Sequence, residues 1–414
     1  MDYVIIGNSA AGISAAHEIR RQDRKGRITV LSDEPTFGYS RVMLPQYIAR
    51  KIRKKDMLIA PKSFYGSLGI ELYRGQTVER VDPTAGRVHI RNGKPLGYDR
   101  LLVATGSSAR RLHVPGEDLP GVYHLRQMAD AEAIRKDLIL TGGRVIIVGG
   151  GLVGVKGLEA LIARKREVHL VISSDRILSQ MLDREGSEFF LRSFKKRGVD
   201  VHLLTDVLGF DGKEGLKGAH LSDGTFLRCT VAIIGKGVDP NIGCVAGTGI
   251  RVNQGIVVDS HMATDVSGVY AAGDVVEPFD VIEKRHQGNA IWPLAVEGGR
   301  VAGSNMADGG AVFSGGVRMN SVEVLGARVI SAGRRYGDQE MVAFRKGREV
   351  YRKLVFSQNR FSGFVLAGDI TGAGVLTAML KNRVEVDPSA LEPGLERGFS
   401  FWPRLDAVGG TVKS

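Results

Sequence analysis

Cysteine is nearly missing from this chain: 414 residues contain two, Cys229 and Cys244. Two thiols cannot build a disulfide framework, a four-cysteine zinc site or an iron–sulfur cluster, so no metal site is expected. Proline is scarce at 13 residues, which argues against a Pro/Gly-rich disordered chain. No apolar run approaches the ~18–20 residues that span a bilayer. The opening MDYVIIGNSA lacks the basic and apolar stretches of a signal peptide. The expectation is a cytoplasmic protein without a membrane span. C₂H₂, RNP and zipper patterns are missing too, so nucleic acid is not the expected partner. The net charge of +12 then favours an acidic protein or a phosphate-rich cofactor.

What the chain has in excess is glycine: 55 residues, nearly twice the usual ~7%. There is no G-X-Y period, so collagen is excluded. In a chain that is 43% hydrophobic, excess glycine marks tight turns and close backbone approaches to ligands. Residues 3–7 (YVIIG) read as a strand, 13–21 as a helix and 28–32 (ITVLS) as a second strand. The βαβ pattern returns at 144–149 (RVIIVG), 152–163 and 168–172 (VHLVI). Residues 75–90 alternate like antiparallel strands, and 101–106, 230–235 and 269–274 read as further strands. From about 310 the pattern changes to strands within 321–332, 351–357 and 361–367, then a helix over 374–383; the last ~25 residues show little periodicity. The expected fold is α/β. Two Rossmann-like dinucleotide-binding domains are expected: one over 1–113 and 240–308, interrupted by one over 114–239. A C-terminal α+β domain over 309–414 follows.

The glycines cluster at the two βα turns. The first is Gly7-Asn8-Ser9-Ala10-Ala11-Gly12. Its first glycine makes the tight turn, and its last permits close helix–strand packing. Ser9 is small enough for backbone to approach a pyrophosphate at the helix N-terminus. Asp33 or Glu34 closes the second strand, where a carboxylate bonds a ribose hydroxyl. The second turn, Gly149-Gly150-Gly151-Leu152-Val153-Gly154, is a full G-x-G-x-x-G. Two dinucleotide sites in one chain point to hydride transfer between their ligands.

Over residues 1–310 these motifs resemble the FAD-dependent pyridine nucleotide reductases of the two-dinucleotide-binding-domain type. The similar branch is the non-disulfide one: ferredoxin and rubredoxin reductases, and the flavin part of NADH-dependent nitrite reductases. The matches run in order: GNSAAG, E-P-x-x-x-Y-S-R at 34–41, ATG at 104–106, VGGGLVG, G-x-x-P-N at 237–241 and VYAAGD at 269–274. The C-terminal region is similar to that family's interface domain through Leu366-Ala367-Gly368-Asp369. The resemblance implies FAD on Gly7, Ser9, Ala11 and Gly12. It places Glu34 on the adenosine ribose and Arg41 on the phosphates. Thr105 and Gly106 would lie at the crossover near FAD. Asp274 would bond the ribityl chain beside Gly273, and Trp292 and Pro293 would border the isoalloxazine. NAD(H) or NADP(H) would bind Gly149, Gly151, Leu152, Val153 and Gly154.

Three departures sharpen the expectation. Met43 stands where some relatives carry a redox cysteine, so a flavin-to-disulfide relay is unavailable. Ile172 stands where relatives place the acid that bonds the nicotinamide-side ribose, while Arg176 could take a 2′-phosphate; NAD and NADP both stay open. Gln46 and Lys156 replace a lysine and a glutamate that face the flavin in relatives. Lys156 is expected to supply a catalytic positive charge beside reduced flavin. His286 reads as a loop histidine without a role. The expected activity is an FAD-dependent oxidoreductase: hydride between NAD(P)H and FAD, single electrons between FAD and a separate, acidic iron–sulfur or ferredoxin-like protein. The basic stretch 50–62 would dock that partner. A free reductase, an oligomer and a subunit of a larger redox complex all fit. The competing readings are a peroxide-forming NADH oxidase and a flavin-bearing scaffold or redox sensor. The glycine pairs 309–310, 315–316 and 409–410 read as turns.

Overall fold

A computed structural model describes residues 1–345 and 350–399; Gly409 and Gly410 lie outside the described residues. The chain forms two compact units, Met1–Ala109 with Val238–Gly316, and Arg110–Gly237 with Val317–Ser414. The joints fall after residues 109, 237 and 316, where the sequence predicts breaks after 113, 239 and 308. The C-terminal segment groups with the second unit.

In chain order the first unit opens with β1 (Asp2–Ile6), α1 (Ala10–Gln22), β2 (Arg27–Ser32), β3 (Ile70–Arg74) and β4 (Arg100–Val103). The second contributes β5 (Val122–His124), β6 (Val145–Val148), α2 (Leu152–Ala163) and β7 (Val168–Val171). It continues with α3 (Arg184–Lys195), β8 (Asp200–His202) and β9 (Val231–Ile234). The first unit resumes with β10 (Val269–Ala271) and α4 (Trp292–Met306). The second ends with β11 (Met319–Val324), β12 (Ala327–Gly333), β13 (Gln339–Arg345), β14 (Val350–Ser357), β15 (Arg360–Ala367), α5 (Ala373–Lys381) and α6 (Pro388–Arg397).

Each unit is built on a five-stranded parallel sheet, ordered β10-β4-β1-β2-β3 in the first and β5-β9-β6-β7-β8 in the second. Their central strands are continuous apolar runs because both faces are covered: β1, β4, β6 and β9 are buried almost end to end. In the second unit, a three-stranded antiparallel meander (Val207–Gly212, Leu216–Leu221, Phe226–Arg228) covers one face. There Val207, Phe210, Leu216 and Leu221 pack on Ile146, Val148, Val171 and Ile234.

In the first unit α4 lies along α1. A Cβ on Gly299 would meet the carbonyl oxygen of Ala11 at 2.2 Å, and one on Gly303 that of Ala15 at 2.5 Å. Two glycines one turn apart thus let the helices touch backbone to backbone.

The C-terminal sheet is antiparallel, ordered β11-β12-β15-β14-β13. The 321–332 stretch is a hairpin: Leu325 and Gly326 both turn with positive φ (+52° and +83°). Sequence periodicity did not show β13. Nor did it show α6, which occupies part of the tail expected to lack pattern. Asp387 caps α6 by accepting from the Ser389 N–H at 2.9 Å, Pro388 fits its first turn, and Leu391 and Leu395 bury one stripe.

Candidate functional site

The two glycine turns sit between a buried strand and a helix, as their spacing predicts, and their glycines serve different purposes. Gly7 has φ +124°, and a Cβ there would lie 2.0 Å from the Ala104 carbonyl oxygen. A Cβ on Gly12 would lie 2.0 Å from the Gly7 carbonyl oxygen. The second turn repeats the pattern, with Gly149 at φ +115° against Gly235 and Gly154 against the Gly149 carbonyl oxygen. These four glycines are required by packing alone. Gly151 differs: a Cβ there would meet nothing within 4 Å. Its openness faces away from protein, at the N-terminus of α2, which has no side-chain cap. Leu152 and Val153 form the first turn of that helix. Ser9 caps α1 without a side-chain hydrogen bond. Uncapped N–H groups and the helix dipole together suit an anionic group at each turn.

In the first turn, Asn8 supplies an independent sign of a ligand. Its carbonyl oxygen accepts from the Tyr65 hydroxyl at 2.6 Å, while its buried Nδ2 has no hydrogen-bond partner among the described residues. A phosphate oxygen would satisfy that donor. Burial raises the Tyr65 phenol above its ordinary range, so it stays protonated and holds Asn8 in place. At the end of β2, Glu34 is buried and accepts from the Tyr39 hydroxyl at 2.7 Å and from Arg41 at 2.5 Å. Asp33, the alternative acid, is exposed. Glu34 and Arg41, expected at adjacent parts of one nucleotide, are thus a single ion pair.

The crossover after β4 is fastened by Asn241. Its amide donates to the Thr105 carbonyl at 3.0 Å, and its backbone N–H to Gly106 at 2.9 Å. Its own carbonyl accepts from the Thr105 hydroxyl at 2.8 Å, and its side-chain oxygen from Ser108 at 2.7 Å. The G-x-x-P-N motif therefore locks the ATG motif. Asp274, expected to face a ribityl chain, accepts from Ser107 at 2.9 Å. Gly273 has φ +89°, and a Cβ there would press on Ala11 at 3.1 Å. Ala11 is buried between α1 and α4 as packing. Trp292 starts α4 and packs on the first unit's core, with Pro293 exposed beside it.

In the second unit, Ile172 is buried, and a Cβ on Gly150 would sit 2.7 Å from its side chain. The expected acid has become an apolar group that fills the space under the turn. Arg176 is engaged by Asp175 at 2.7 Å and by the Leu182 carbonyl at 3.3 Å; Asp175 also takes Arg184 at 3.0 Å. The Lys156 ammonium donates to Glu159 at 2.9 Å and to the Glu323 carbonyl at the end of β11. The charge expected beside a flavin is thus already bound within the second unit. His286 is exposed and bonds the Glu277 carbonyl at 2.9 Å through Nδ1.

Residues 1–299 match the family described as pyridine nucleotide-disulphide oxidoreductase. The chain belongs to the pyridine nucleotide-disulphide oxidoreductase family. It is 28% identical over 388 residues to an assimilatory nitrate reductase electron transfer subunit of Bacillus subtilis (strain 168), covering 92% of this chain and 49% of that protein. It is 32% identical over 298 residues to the ferredoxin–NAD(+) reductase component of a biphenyl dioxygenase system of Paraburkholderia xenovorans (strain LB400), covering 72% of this chain and 69% of that protein. The chain thus spans about half the length of the first and about two thirds of the second. A putidaredoxin reductase–putidaredoxin complex superposes with a TM-score of 0.88 over 94% of this chain and 95% of that one, at 24% identity, a likeness of fold.

Cys229 and Cys244 are buried and unbridged. Burial pushes their thiols up to about 12 and about 11 respectively. Neither is a thiolate at neutral pH, so neither is a nucleophile toward a disulfide. Met43, the position where the resemblance implies a redox cysteine in some relatives, lies in a short 3₁₀ turn (Arg41–Met43). Among the described residues no helix is long and apolar enough to cross a membrane.

Proposed function

We propose that the first unit binds FAD, that the second binds NAD(H) or NADP(H), and that the chain is an electron-transfer reductase for a separate iron–sulfur or ferredoxin-like protein. The observation that carries this reading is the paired turn. In each unit the glycines close against their own backbone while the helix N-terminus beyond them carries no side-chain cap. When bound, FAD would supply exchange of a hydride with NAD(P)H and release of single electrons, chemistry that no side chain here offers.

The chain's own residues do the positioning. Ser9 and the Asn8 amide would hold the FAD pyrophosphate, with Gly7 and Gly12 closing the turn beneath it. Glu34, oriented by Tyr39 and Arg41, would accept from ribose hydroxyls. The Asn241 lock keeps Thr105 and Gly106 rigid near Asp274, which would take the ribityl chain, and Trp292 would exclude water from one edge. In the second unit, Gly151 would leave room for the nicotinamide dinucleotide, and Arg176 would meet its adenosine end. Lys156 is better read as a tether of α2 to β11 than as a charge for the flavin.

Six cations stand against one acid in residues 50–62. Arg50, Lys51, Arg53, Lys54, Lys55 and Lys62 are all exposed, with Val42 and Ile59 exposed nearby. A basic ridge beside apolar side chains suits an acidic partner, steered by charge and held by contact. NAD(P)H supply and two inert thiols fit the cytoplasm.

Anaerobic stopped-flow with NADH and with NADPH tests the assignment. The expected result is bleaching of the yellow protein, then fast reduction of a dye and of an acidic [2Fe–2S] ferredoxin, with slow reoxidation in air. Ferredoxin reduction should slow steeply with salt while dye reduction does not. Absence of bleaching overturns the reading in favour of a scaffold. Rapid reoxidation in air, with peroxide formed, overturns it in favour of an oxidase.

A further inference from the structure

Away from both glycine turns, three polar side chains meet on one face of the second unit's parallel sheet. The register of β7 and β8 sets His169 beside Asp200 and Val171 beside His202. Residues two apart in a strand share a face, so Asp200 and His202 project together, and His169 joins them from the neighbouring strand. His169 Nδ1 lies 3.2 Å from His202 Nε2 and 3.3 Å from an Asp200 carboxylate oxygen. His202 Nε2 lies 3.7 Å from the same oxygen. A point equidistant from these three atoms is about 2.0 Å from each, the length of zinc–imidazole and zinc–carboxylate bonds.

The surroundings are those of a ligand set. His169 is 6% exposed, and its other ring nitrogen, Nε2, has no hydrogen-bond partner among the described residues. That nitrogen faces Glu167 Oε1 at 3.6 Å, and Glu167 is pinned by Arg144 at 2.7 Å. A carboxylate behind the distal nitrogen is how proteins fix the tautomer of a metal-bound histidine. The Asp200 side chain is largely exposed, which gives an ion a path from solvent. Two imidazole nitrogens and a carboxylate oxygen converge on one point, each offering a lone pair when the histidines are neutral. One divalent cation satisfies all three.

We propose that His169, Asp200 and His202 form a site for one divalent transition-metal ion of the zinc class. The ion would take Nδ1, Nε2 and one carboxylate oxygen, with its remaining position open to water. It would clip the edge strand β8 to β7. The backbone carbonyl of His202 already accepts from the N–H of Ile172 at 2.9 Å, so the clip lies directly beneath the loop that carries Arg176.

The test uses untagged full-length protein, freed of metal by chelator and titrated with Zn²⁺ by calorimetry and with Co²⁺ by visible absorption. The expected result is one equivalent per chain with a Kd of roughly micromolar or tighter, and Co²⁺ bands of a low-coordinate N/O site. His202→Gln and Asp200→Asn alter side chains that reach solvent, so the fold, checked by circular dichroism, should persist. Each should weaken binding at least tenfold. Glu167→Gln should weaken it within the ~10–100-fold range of outer-sphere changes. Absence of a stoichiometric site, or one whose affinity ignores His202→Gln and Asp200→Asn, overturns the proposal and leaves a hydrogen-bonded cluster.

Discussion

Gly154→Ala and Gly151→Ala each add one methyl group to the same turn and should have opposite consequences. At Gly154 the new carbon would lie 1.9 Å from the Gly149 carbonyl oxygen and 3.3 Å from Ile147. To reach ordinary contact, the first turn of α2 would have to retreat by about 1.5 Å from β6, against dispersion contacts that decay over such gaps. Overpacking of this kind costs about 1–3 kcal/mol, and here the obstacle is backbone, so the upper end applies. For a unit of this size, about 3 kcal/mol lowers Tm by roughly 6–12 °C.

At Gly151 the same methyl meets nothing within 4 Å, and the backbone, at φ −79° and ψ −174°, is extended and open to any residue. Fewer unfolded conformations then favour the variant by about 0.4–1 kcal/mol, offset by the poorer N-cap alanine makes for α2, so stability should change little. Its defect should appear only with the dinucleotide, as at least a tenfold weaker affinity, about 1.4 kcal/mol. Thermal unfolding without nicotinamide nucleotide, followed by an NADH binding titration, separates the two. Equal destabilisation by both variants would refute the distinction between closed and open glycines. Wild-type NADH affinity in Gly151→Ala would refute the assignment of that open side to the dinucleotide.

Asn241→Ala removes the two side-chain hydrogen bonds, to the Thr105 carbonyl and from the Ser108 hydroxyl, and keeps the two made by its backbone. It should cost about 1–3 kcal/mol and raise the rate of FAD loss, read as flavin fluorescence released on dilution. Asp183 accepts from Tyr351 at 2.5 Å, Lys353 at 2.9 Å and the Gly186 N–H at 3.1 Å. Burial opposes its ionisation, yet these donors hold its carboxyl below the ordinary range. A depressed folded-state pKa contributes stability above the unfolded value and loses it as pH falls through the folded one. Acid unfolding of the wild type should therefore steepen below about pH 4, and Asp183→Asn should flatten that limb in urea titrations. The two thiols should ignore a disulfide reagent such as DTNB at pH 8 until the protein is denatured; fast native labelling of either would contradict their burial.

Much of the architecture was legible because glycine turns, buried strands and helices carry strong local signals. Helix 152–163 and strands 351–357 and 361–367 fall within a residue of their observed bounds. The two glycine turns were legible for the same reason, while the choice between Asp33 and Glu34 came only with their burial. What the sequence could not show depends on distant partners. Lys156 reads as a free charge until β11 arrives, 167 residues later, to offer the Glu323 carbonyl. Lys353, within a strand the sequence does show, is 2% exposed between Asp183 and Glu340, two partners that strand periodicity cannot place. Ile172 marks a missing acid in one dimension; in three it explains why Gly150 must be glycine. The spacing of Gly299 and Gly303 did carry a signal, since two glycines one helical turn apart invite another helix.

The α1–α4 contact also fixes the order in which the first unit can be completed. Gly299 and Gly303 meet Ala11 and Ala15 about 290 residues apart in sequence, and β10 must likewise return to pair with β4. A ribosome makes the N-terminal βαβ first, yet its covering helix emerges only after all of residues 110–237. Loop closure over that distance is slow unless the intervening chain is already compact. Sealing of the earliest-made segment is therefore expected to be fastest where residues 110–237 have already folded, since their parallel sheet is contiguous in sequence. Until then the apolar flank of α1 stays open, which makes it a natural place for chaperones to hold the nascent chain.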